Sequence, residues 1–256
     1  MVELKVKYLS NLLKKVPINN KISLQRDSSC CFRDKYKETT TQIVLNNFNR
    51  IIDVNLTEKY VVAEPNVSME QITDHLLNLK DGPYMLPVTP EFKHITIGGA
   101  VNGLGIESSS CKYGLFEKTI FKYEIVLTDG KIVEATPDNE YKDLFYAISG
   151  SYGTIGILTK IYLKIIPTEL YVKVNYTVYE NTSEIEEIFN NSNNIEFLEG
   201  LVLPEKCIVS VAKPVKISYY DWLFNTSNFN YFYSKWYYNH ITEITNNYKE
   251  YSEFIP

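Results

Sequence analysis

Glycines and hydroxyl side chains crowd one stretch of the chain, which runs from Ile95 to Glu117. Five of the eleven glycines lie in it: Gly98, Gly99, Gly103, Gly105 and Gly114. Glycine lets the backbone approach a ligand closely, and it adopts a positive φ without strain. Together with the hydroxyl groups of Thr96, Ser108 and Ser109, such a stretch can direct several hydrogen-bond donors at a phosphate.

The spacing within this stretch does not match the common phosphate-binding motifs. It is not a Walker loop, because Lys112 does not follow a glycine. The run G-G-A-V-N-G-L-G also departs from G-x-G-x-x-G, and no strong strand precedes it closely. From the residues alone, an anion-binding loop and a plain glycine-rich connection are equally favoured.

The same residues carry a resemblance to a known family. T-I-G-G at 96–99, followed by G-x-G-I-E-S-S-S-x-K-Y-G-L-F at 103–116, resembles the flavin-binding signature of the delta(24)-sterol reductase (Diminuto/seladin) family. That family belongs to the p-cresol methylhydroxylase or vanillyl-alcohol oxidase type of FAD-linked oxidoreductase. More of the pattern follows in order: Y-E-x-V-L-x-D-G at 123–130, D-L-F-Y-A at 143–147, G-T-x-G at 153–156 and I-I-P at 165–167.

The resemblance implies an α+β fold with two regions. Residues 1–167 would form a two-subdomain FAD-binding domain of the p-cresol methylhydroxylase type, and residues 168–256 the front part of an α/β substrate (cap) domain. The glycine stretch and a second glycine segment at 149–156 would hold the cofactor. The residues assigned to FAD are Thr96, Ile97, Gly98, Gly99, Ala100, Gly103, Gly105, Ile106, Glu107, Ser108, Ser109, Gly114, Gly153 and Ile155.

The implied reaction is the reduction of a carbon–carbon double bond in a sterol-like, apolar substrate, with NADPH as electron donor. The flavin carries this chemistry, and no catalytic residue is singled out by spacing. The region from Val16 to Phe32 lacks both the glycines of the family's first loop and the histidine with which some relatives attach flavin. Any FAD is therefore expected to be bound non-covalently.

Two alternatives remain open. One is a flavin oxidase of an alcohol or a sugar, which would share the flavin-binding segments. The other is a truncated, non-catalytic remnant, which the glycine-free first region and the end at Pro256 favour. An incomplete cap predicts little sterol reductase activity from this chain alone, and association with a partner chain, with a membrane surface or with a second copy.

Composition and charge exclude several other classes. A net charge of −5 gives no electrostatic footprint for nucleic acid. The four cysteines form neither a C-x-x-C pair nor a metal-ligand spacing, so we expect free thiols, an intracellular location and no metal site. No apolar run is long enough to cross a membrane, but the amphipathic segment from Leu4 to Val16 could pack on the domain or lie on a membrane. These features predict a cytoplasmic protein or one peripheral to the endoplasmic reticulum membrane.

Hydrophobic periodicity and turn signals predict the elements that position these segments. A capping box at Ser68–Gln71 predicts a helix that stops at Asp81-Gly82, and another at Ser183–Glu186 predicts a short helix. A further helix is expected at 139–148, and residues 46–55 are interpreted as a turn-rich link. Strands are predicted at 22–24, 42–45, 60–63, 122–127, 131–135, 157–165, 172–178, 196–203 and 207–212.

Overall fold

A computed structural model describes residues 2–17, 20–25, 40–224, 226 and 236–256. Helices and strands are mixed along the chain, as an α+β fold requires. The chain divides into two compact units, each built from several segments. The first unit comprises Met1–Leu76, Met85–Glu107 and Leu115–Ile166, and the second comprises Leu77–Tyr84, Ser108–Gly114 and Pro167–Pro256. Whether residues 1–167 and 168–256 act as flavin and cap domains stays a prediction.

The elements are numbered in chain order. The helices are α1 Val2–Leu13, α2 Met69–Leu77, α3 Ile97–Gly103, α4 Ser110–Tyr113, α5 Lys142–Ile148, α6 Glu186–Asn190, α7 Tyr219–Phe224 and α8 Tyr237–Asn247. The strands are β1 Lys21–Gln25, β2 Thr40–Val44, β3 Ile51–Asn55, β4 Tyr60–Ala63, β5 Tyr84–Met85, β6 Ile120–Val126, β7 Ile132–Ala135, β8 Ile157–Lys164, β9 Ile166–Pro167, β10 Tyr171–Tyr179, β11 Phe197–Val202, β12 Cys207–Val215 and β13 Glu250–Ile255.

A five-stranded antiparallel sheet in the order β3-β4-β8-β6-β7 forms the centre of the first unit. In its middle strand, β8, one face is fully buried through Thr159, Ile161 and Leu163, whereas the other face carries the half-buried Lys160 and the exposed Lys164. The strand β3 shows that the predicted turn-rich link at 46–55 was wrong for residues 51–55, whereas residues 46–50 form neither helix nor strand. This edge strand exposes Ile52 and Asp53, so it lacks a clear apolar alternation.

The amphipathic first segment packs within the first unit. Val6, Leu9 and Leu13 of α1 are buried in one cluster with Ile43 and Phe48. The spacing of these three residues places them on one face of a helix. The apolar side of α1 therefore packs in the core of the first unit. This agrees with the interpretation that the segment packs on the domain.

The capping box at the start of α2 is confirmed. The Ser68 amide donates to the Gln71 Oε1 at 2.9 Å, and the Gln71 amide donates to the Ser68 Oγ at 3.2 Å. Met69, Ile72 and Leu76 then share the buried face of the helix. The helix ends at Leu77, earlier than the predicted stop at Asp81-Gly82.

A four-stranded antiparallel sheet in the order β11-β12-β10-β13 forms the second unit. One face packs against α8, where Ile241 meets Val174 and Tyr176. The opposite face buries Leu198 and Val209 in a cluster to which α6 contributes Ile188. The strands predicted at 172–178, 196–203 and 207–212 correspond to β10, β11 and β12.

The second predicted capping box is wrong. The Asn181 side chain, and not that of Ser183, caps the short turn before α6, since its Oδ1 accepts the Ser183 amide at 3.1 Å. Cys30 and Cys31 lie outside the described residues, whereas Cys111 and Cys207 are free thiols. In the part of the chain that the structure describes, no helix is long and apolar enough to cross a membrane.

Candidate functional site

The glycine stretch is not a loop throughout, because its first half forms the helix α3. Thr96 is the N-cap residue, and its Oγ accepts the Gly99 amide at 3.2 Å. Ile97, Ala100 and Val101 follow at helical spacing and are buried. Capping and burial together offset the low helix propensity of the glycines.

The first amides of α3 already have acceptors within the fold. The Ile97 amide donates to the Val67 carbonyl at 2.9 Å, and the Gly98 amide donates to the Pro65 carbonyl at 2.8 Å. A Cβ at Gly98 would lie 2.8 Å from the Pro65 Cβ, so packing alone demands glycine there. Contact of Thr96, Ile97, Gly98, Gly99 and Ala100 with a phosphate stays a prediction.

The other end of α3 is open. Leu104 ends the helix with a φ of 57°, and the Gly105 amide donates back to the Ala100 carbonyl at 3.2 Å. A Cβ built on Gly103 would meet no atom within 4 Å, and the Ile106 side chain is 70% exposed. Backbone and apolar surface are thus both accessible at this point.

Asn102 joins the two glycine segments. Its Nδ2 donates to the Gly98 carbonyl at 2.7 Å. Its Oδ1 accepts the Ser151 hydroxyl at 3.0 Å and the Gly153 amide at 2.8 Å. The Gly150 amide adds a third hydrogen bond between the two segments, to the Val101 carbonyl at 3.3 Å. The end of α3, which includes Gly103, is therefore fixed to the segment around Gly153.

The second glycine segment adopts a left-handed backbone. Gly150, Tyr152 and Gly153 have φ values of 72°, 54° and 74°. A Cβ on Gly153 would meet nothing within 4 Å, whereas one on Gly150 would lie 3.1 Å from Leu104. Tyr152 is exposed, and the half-buried Ile155 leads into β8. This segment also presents open backbone next to an exposed ring.

A carboxylate that the sequence did not single out lies near this region. The Oε2 atom of Glu117 is buried and has no hydrogen-bond partner among the described residues. Burial raises the pKa of the Tyr123 phenol, and the charge of Glu117 raises it further. The Tyr123 hydroxyl lies 3.4 Å from the Ser149 Oγ, directly before the second glycine segment. Glu117 therefore has an acceptor atom that the fold itself leaves unused.

The remaining predicted residues are divided between the two units. Glu107 is in the first, where its Oε1 accepts the Glu91 amide at 3.2 Å. Ser108, Ser109 and Gly114 belong to the second. The Ser108 carbonyl accepts the Leu198 amide of β11 at 2.8 Å, Ser109 is buried, and Gly114 has a φ of 76°. The structure thus ties the end of α3, which includes Gly103, to Gly153 through Asn102, a residue that the sequence analysis did not single out. Gly105 and Ile106 follow directly after α3 in the chain.

The sequence does contain a feature from which the role of Asn102 could have been predicted. In the run G-G-A-V-N-G-L-G it is the single residue whose side chain can both donate and accept hydrogen bonds. No comparable feature indicates Glu117, because its burial depends on the packing of Tyr123 and of neighbouring residues. No group of three or more His, Cys, Asp or Glu side chains that could hold a metal is found in the described part of the chain.

Comparisons with known proteins identify the region that contains the first glycine segment, Asn102 and Glu117, whereas the second glycine segment lies after the residues that the family model matches. A family model described as an FAD binding domain matches residues 19–136. The chain is 35% identical over 236 residues to a delta(24)-sterol reductase homolog of Caenorhabditis elegans, which covers 86% of this chain and 44% of that protein. It is 35% identical over 232 residues to the delta(24)-sterol reductase of Homo sapiens, covering 87% and 42%. With the enzyme of Pisum sativum it shares 41% identity over 152 residues, covering 59% and 26%. The chain spans less than half the length of these curated relatives.

Proposed function

Since the chain belongs to the delta(24)-sterol reductase family and contains its FAD-binding region, we propose that it is an FAD-linked oxidoreductase that reduces a carbon–carbon double bond of a sterol-like substrate. NADPH as the electron donor is part of this proposal. The main observation in its support is that Asn102 joins the two glycine segments by hydrogen bonds, while the backbone at Gly103 and Gly153 stays accessible.

The residues around Asn102 fit FAD in shape. Gly103 and Gly153 leave space where any other residue would place a Cβ, so a flat ring or a diphosphate can approach the backbone closely. Ile106 and Tyr152 are large apolar side chains that are exposed beside them. Exposed apolar side chains beside open backbone are typical of a surface that a ligand covers.

They also fit FAD in chemistry. The dinucleotide carries ribityl and ribose hydroxyl groups, which are hydrogen-bond donors. The buried Oε2 of Glu117 is an acceptor without a partner among the described residues, and such an atom is costly to leave unsatisfied. A cofactor hydroxyl would satisfy it.

The proposed division of roles follows from these contacts. Asn102 fixes the two backbone segments, Gly103 and Gly153 let the cofactor approach, and Glu117 accepts from a cofactor hydroxyl. Ile106 and Tyr152 would exclude water from the covered surface. When bound, the flavin supplies the hydride-transfer chemistry, and the protein's part is binding and orientation. The amides at the start of α3 contribute little to this set, because they already donate to Val67 and Pro65.

The absorbance spectrum of the purified 256-residue protein tests the proposal. We expect the two visible bands of oxidised flavin and their loss on anaerobic addition of NADPH. Since the chain spans less than half the length of its relatives, we expect the bands to return only slowly on addition of desmosterol, in line with the low activity predicted for this chain alone. A protein that stays colourless after incubation with FAD would refute FAD binding. Reoxidation by oxygen with peroxide formation, but not by desmosterol, would instead identify an oxidase.

A further inference from the structure

A recess in the second unit lies on the face of the sheet that α8 partly covers. It has a volume of about 450 Å³, which is within the range of small-molecule sites. All of its lining residues belong to the second unit: Ser108, Val172, Val174, Phe197, Glu199, Ser210, Ala212, Tyr237 and Ile255. A site here can therefore be tested independently of the glycine segments in the first unit.

The strand register divides the floor of the recess into an apolar and a polar part. Phe197 of β11 pairs with Ala212 of β12, which pairs with Val174 of β10, so these three form one apolar row across the sheet. Val172 pairs with Ile255 of β13 and extends the apolar surface beyond that row. A flat apolar molecule can lie on such a surface, because the side chains of one sheet face form a continuous layer.

The next row of the sheet is polar. Glu199 pairs with Ser210, and Ser210 pairs with Tyr176. Tyr237, the first residue of α8, also lines the recess and is hydrogen-bonded to Ser210. The recess thus has one end rich in hydrogen-bonding groups, and the rest of its floor is hydrocarbon.

Tyr237 is connected to a buried chain of hydrogen-bonding groups. Its phenol oxygen lies 3.3 Å from that of Tyr176, and the Tyr176 hydroxyl donates to the Glu253 Oε1 at 2.7 Å. The His240 Nε2 lies 2.8 Å from the same carboxylate oxygen, and Glu253 is almost fully buried. Because a phenol has only one proton, Tyr237 can donate to Tyr176 or to a ligand while Tyr176 donates to Glu253.

The electrostatic surroundings keep Tyr237 a donor. Burial raises the pKa of the Tyr237 phenol, and the charges of Glu199 and Glu253 raise it further, although its hydrogen bonds to Tyr176 and Ser210 act in the opposite direction. The phenol is therefore protonated at neutral pH. It can donate to a neutral acceptor such as an alcohol oxygen.

We propose that this recess binds a flat, uncharged and mostly apolar molecule that carries one hydroxyl group, and that Tyr237 is the residue that hydrogen-bonds this hydroxyl. The apolar floor takes the hydrocarbon body, and Tyr237 with Ser210 takes the polar end. Tyr176, Glu253 and His240 hold the Tyr237 phenol in position. The choice of a sterol as the ligand class rests on the proposed function, whereas the two-part recess does not.

The test is a binding cycle between one protein hydroxyl and one ligand hydroxyl. Desmosterol and its analogue that lacks the 3-hydroxyl group are each titrated, from cyclodextrin, into the full chain and into Tyr237→Phe. For desmosterol we expect Kd to rise about threefold to tenfold in the variant, as the loss of one hydrogen bond gives. For the deoxy analogue we expect no change. A purely structural role of Tyr237 would shift both ligands equally and would overturn the assignment.

Two further variants separate the recess from nonspecific binding. Tyr238→Phe removes a phenol from the same helix, outside the recess lining, and it should leave both Kd values unchanged. Ala212→Phe fills the apolar row, so it should abolish the binding of both ligands while thermal unfolding shows a folded protein. Unaltered binding by a folded Ala212→Phe, or an absence of saturable binding by the wild-type chain, would refute the recess as the site. Flavin absorbance is read in the same samples, so a colourless protein that still shows the cycle would contradict only the proposed function.

Discussion

Replacement of Asn102 by alanine is the sharpest test of the cofactor site, because three hydrogen bonds depend on its side chain. Asn102 donates to the Gly98 carbonyl and accepts from Ser151 and Gly153 at distances between 2.7 and 3.0 Å. At about 1 kcal/mol of net stability for each bond, the loss is roughly 3 kcal/mol at most. Since Asn102 is only half-buried, we expect the free energy of unfolding to fall by about 2 kcal/mol.

The same substitution should weaken FAD binding. Without Asn102, the segment around Gly153 is no longer tied to α3, and binding must order it again. Fixing one residue costs about 1–2 kcal/mol, so FAD affinity should fall about tenfold or more. Urea unfolding measures the first effect. Quenching of flavin fluorescence on titration into apoprotein measures the second.

Asn139 provides a matched control in the same unit. Its Nδ2 donates to the Glu134 carbonyl at 2.8 Å, and its Oδ1 accepts the Thr136 and Tyr141 amides at 3.2 and 3.0 Å. Asn139→Ala also removes three side-chain bonds, and because Asn139 is exposed its loss of stability should be smaller, about 1 kcal/mol. FAD affinity should stay unchanged. Equal losses of FAD affinity in the two variants, or none in Asn102→Ala, would refute the role given to Asn102.

Further substitutions and one chemical test extend this reasoning. Gly103→Ala should raise the free energy of unfolding by up to about 1 kcal/mol, because alanine favours a helix. The same variant should bind FAD more weakly. Improved FAD binding in a titration would contradict a close approach of the cofactor to the Gly103 backbone. Gly153→Ala should abolish FAD binding. Gly82 is also at a positive φ with open space around it, and Gly82→Ala should lose only about 1 kcal/mol of stability in urea unfolding. Equal flavin absorbance in the two variants would count against the site. Glu117→Gln should stabilise the apoprotein by about 1 kcal/mol in urea while weakening FAD binding, and a gain in both would exclude Glu117 as a cofactor ligand. Acid denaturation followed by filtration should release yellow cofactor into the filtrate, and colour retained with the protein would show a covalent link.

Local signals in the sequence predicted the elements whose stability is local. The capping box at Ser68 depends on residues within one turn, so the start of α2 could be read directly. The strands β4, β8 and β10 are apolar or alternate clearly, and each was predicted near its observed position. At Asn181 the same kind of signal misled, because Asn181 and Ser183, two residues apart, can both cap a turn and only the backbone conformation decides between them.

Elements that depend on distant packing were missed or misinterpreted. The edge strand β3 lacks an apolar alternation, since Ile52 and Asp53 both face solvent. The helix α3 was interpreted as a loop because its glycines disfavour a helix, but burial of Ile97 and Val101 decides its conformation. The polar row of Glu199, Ser210 and Tyr176 could not be predicted, because it exists only through the register of three strands.

The glycines of the two segments are needed for different physical reasons, which a sequence motif cannot distinguish. At Gly98 and Gly156 an added Cβ would lie 2.8 Å from Pro65 and 2.7 Å from Ile125, so the fold requires glycine there whether or not a ligand binds. At Gly103 and Gly153 the same Cβ would meet nothing within 4 Å, although the φ of 74° at Gly153 favours glycine there in its own right. Glycine destabilises a helix, and no packing contact explains why residue 103 is a glycine. A ligand that approaches the backbone does explain it, and for this reason the proposed cofactor site is centred on Gly103, Gly153 and Asn102 rather than on the start of α3.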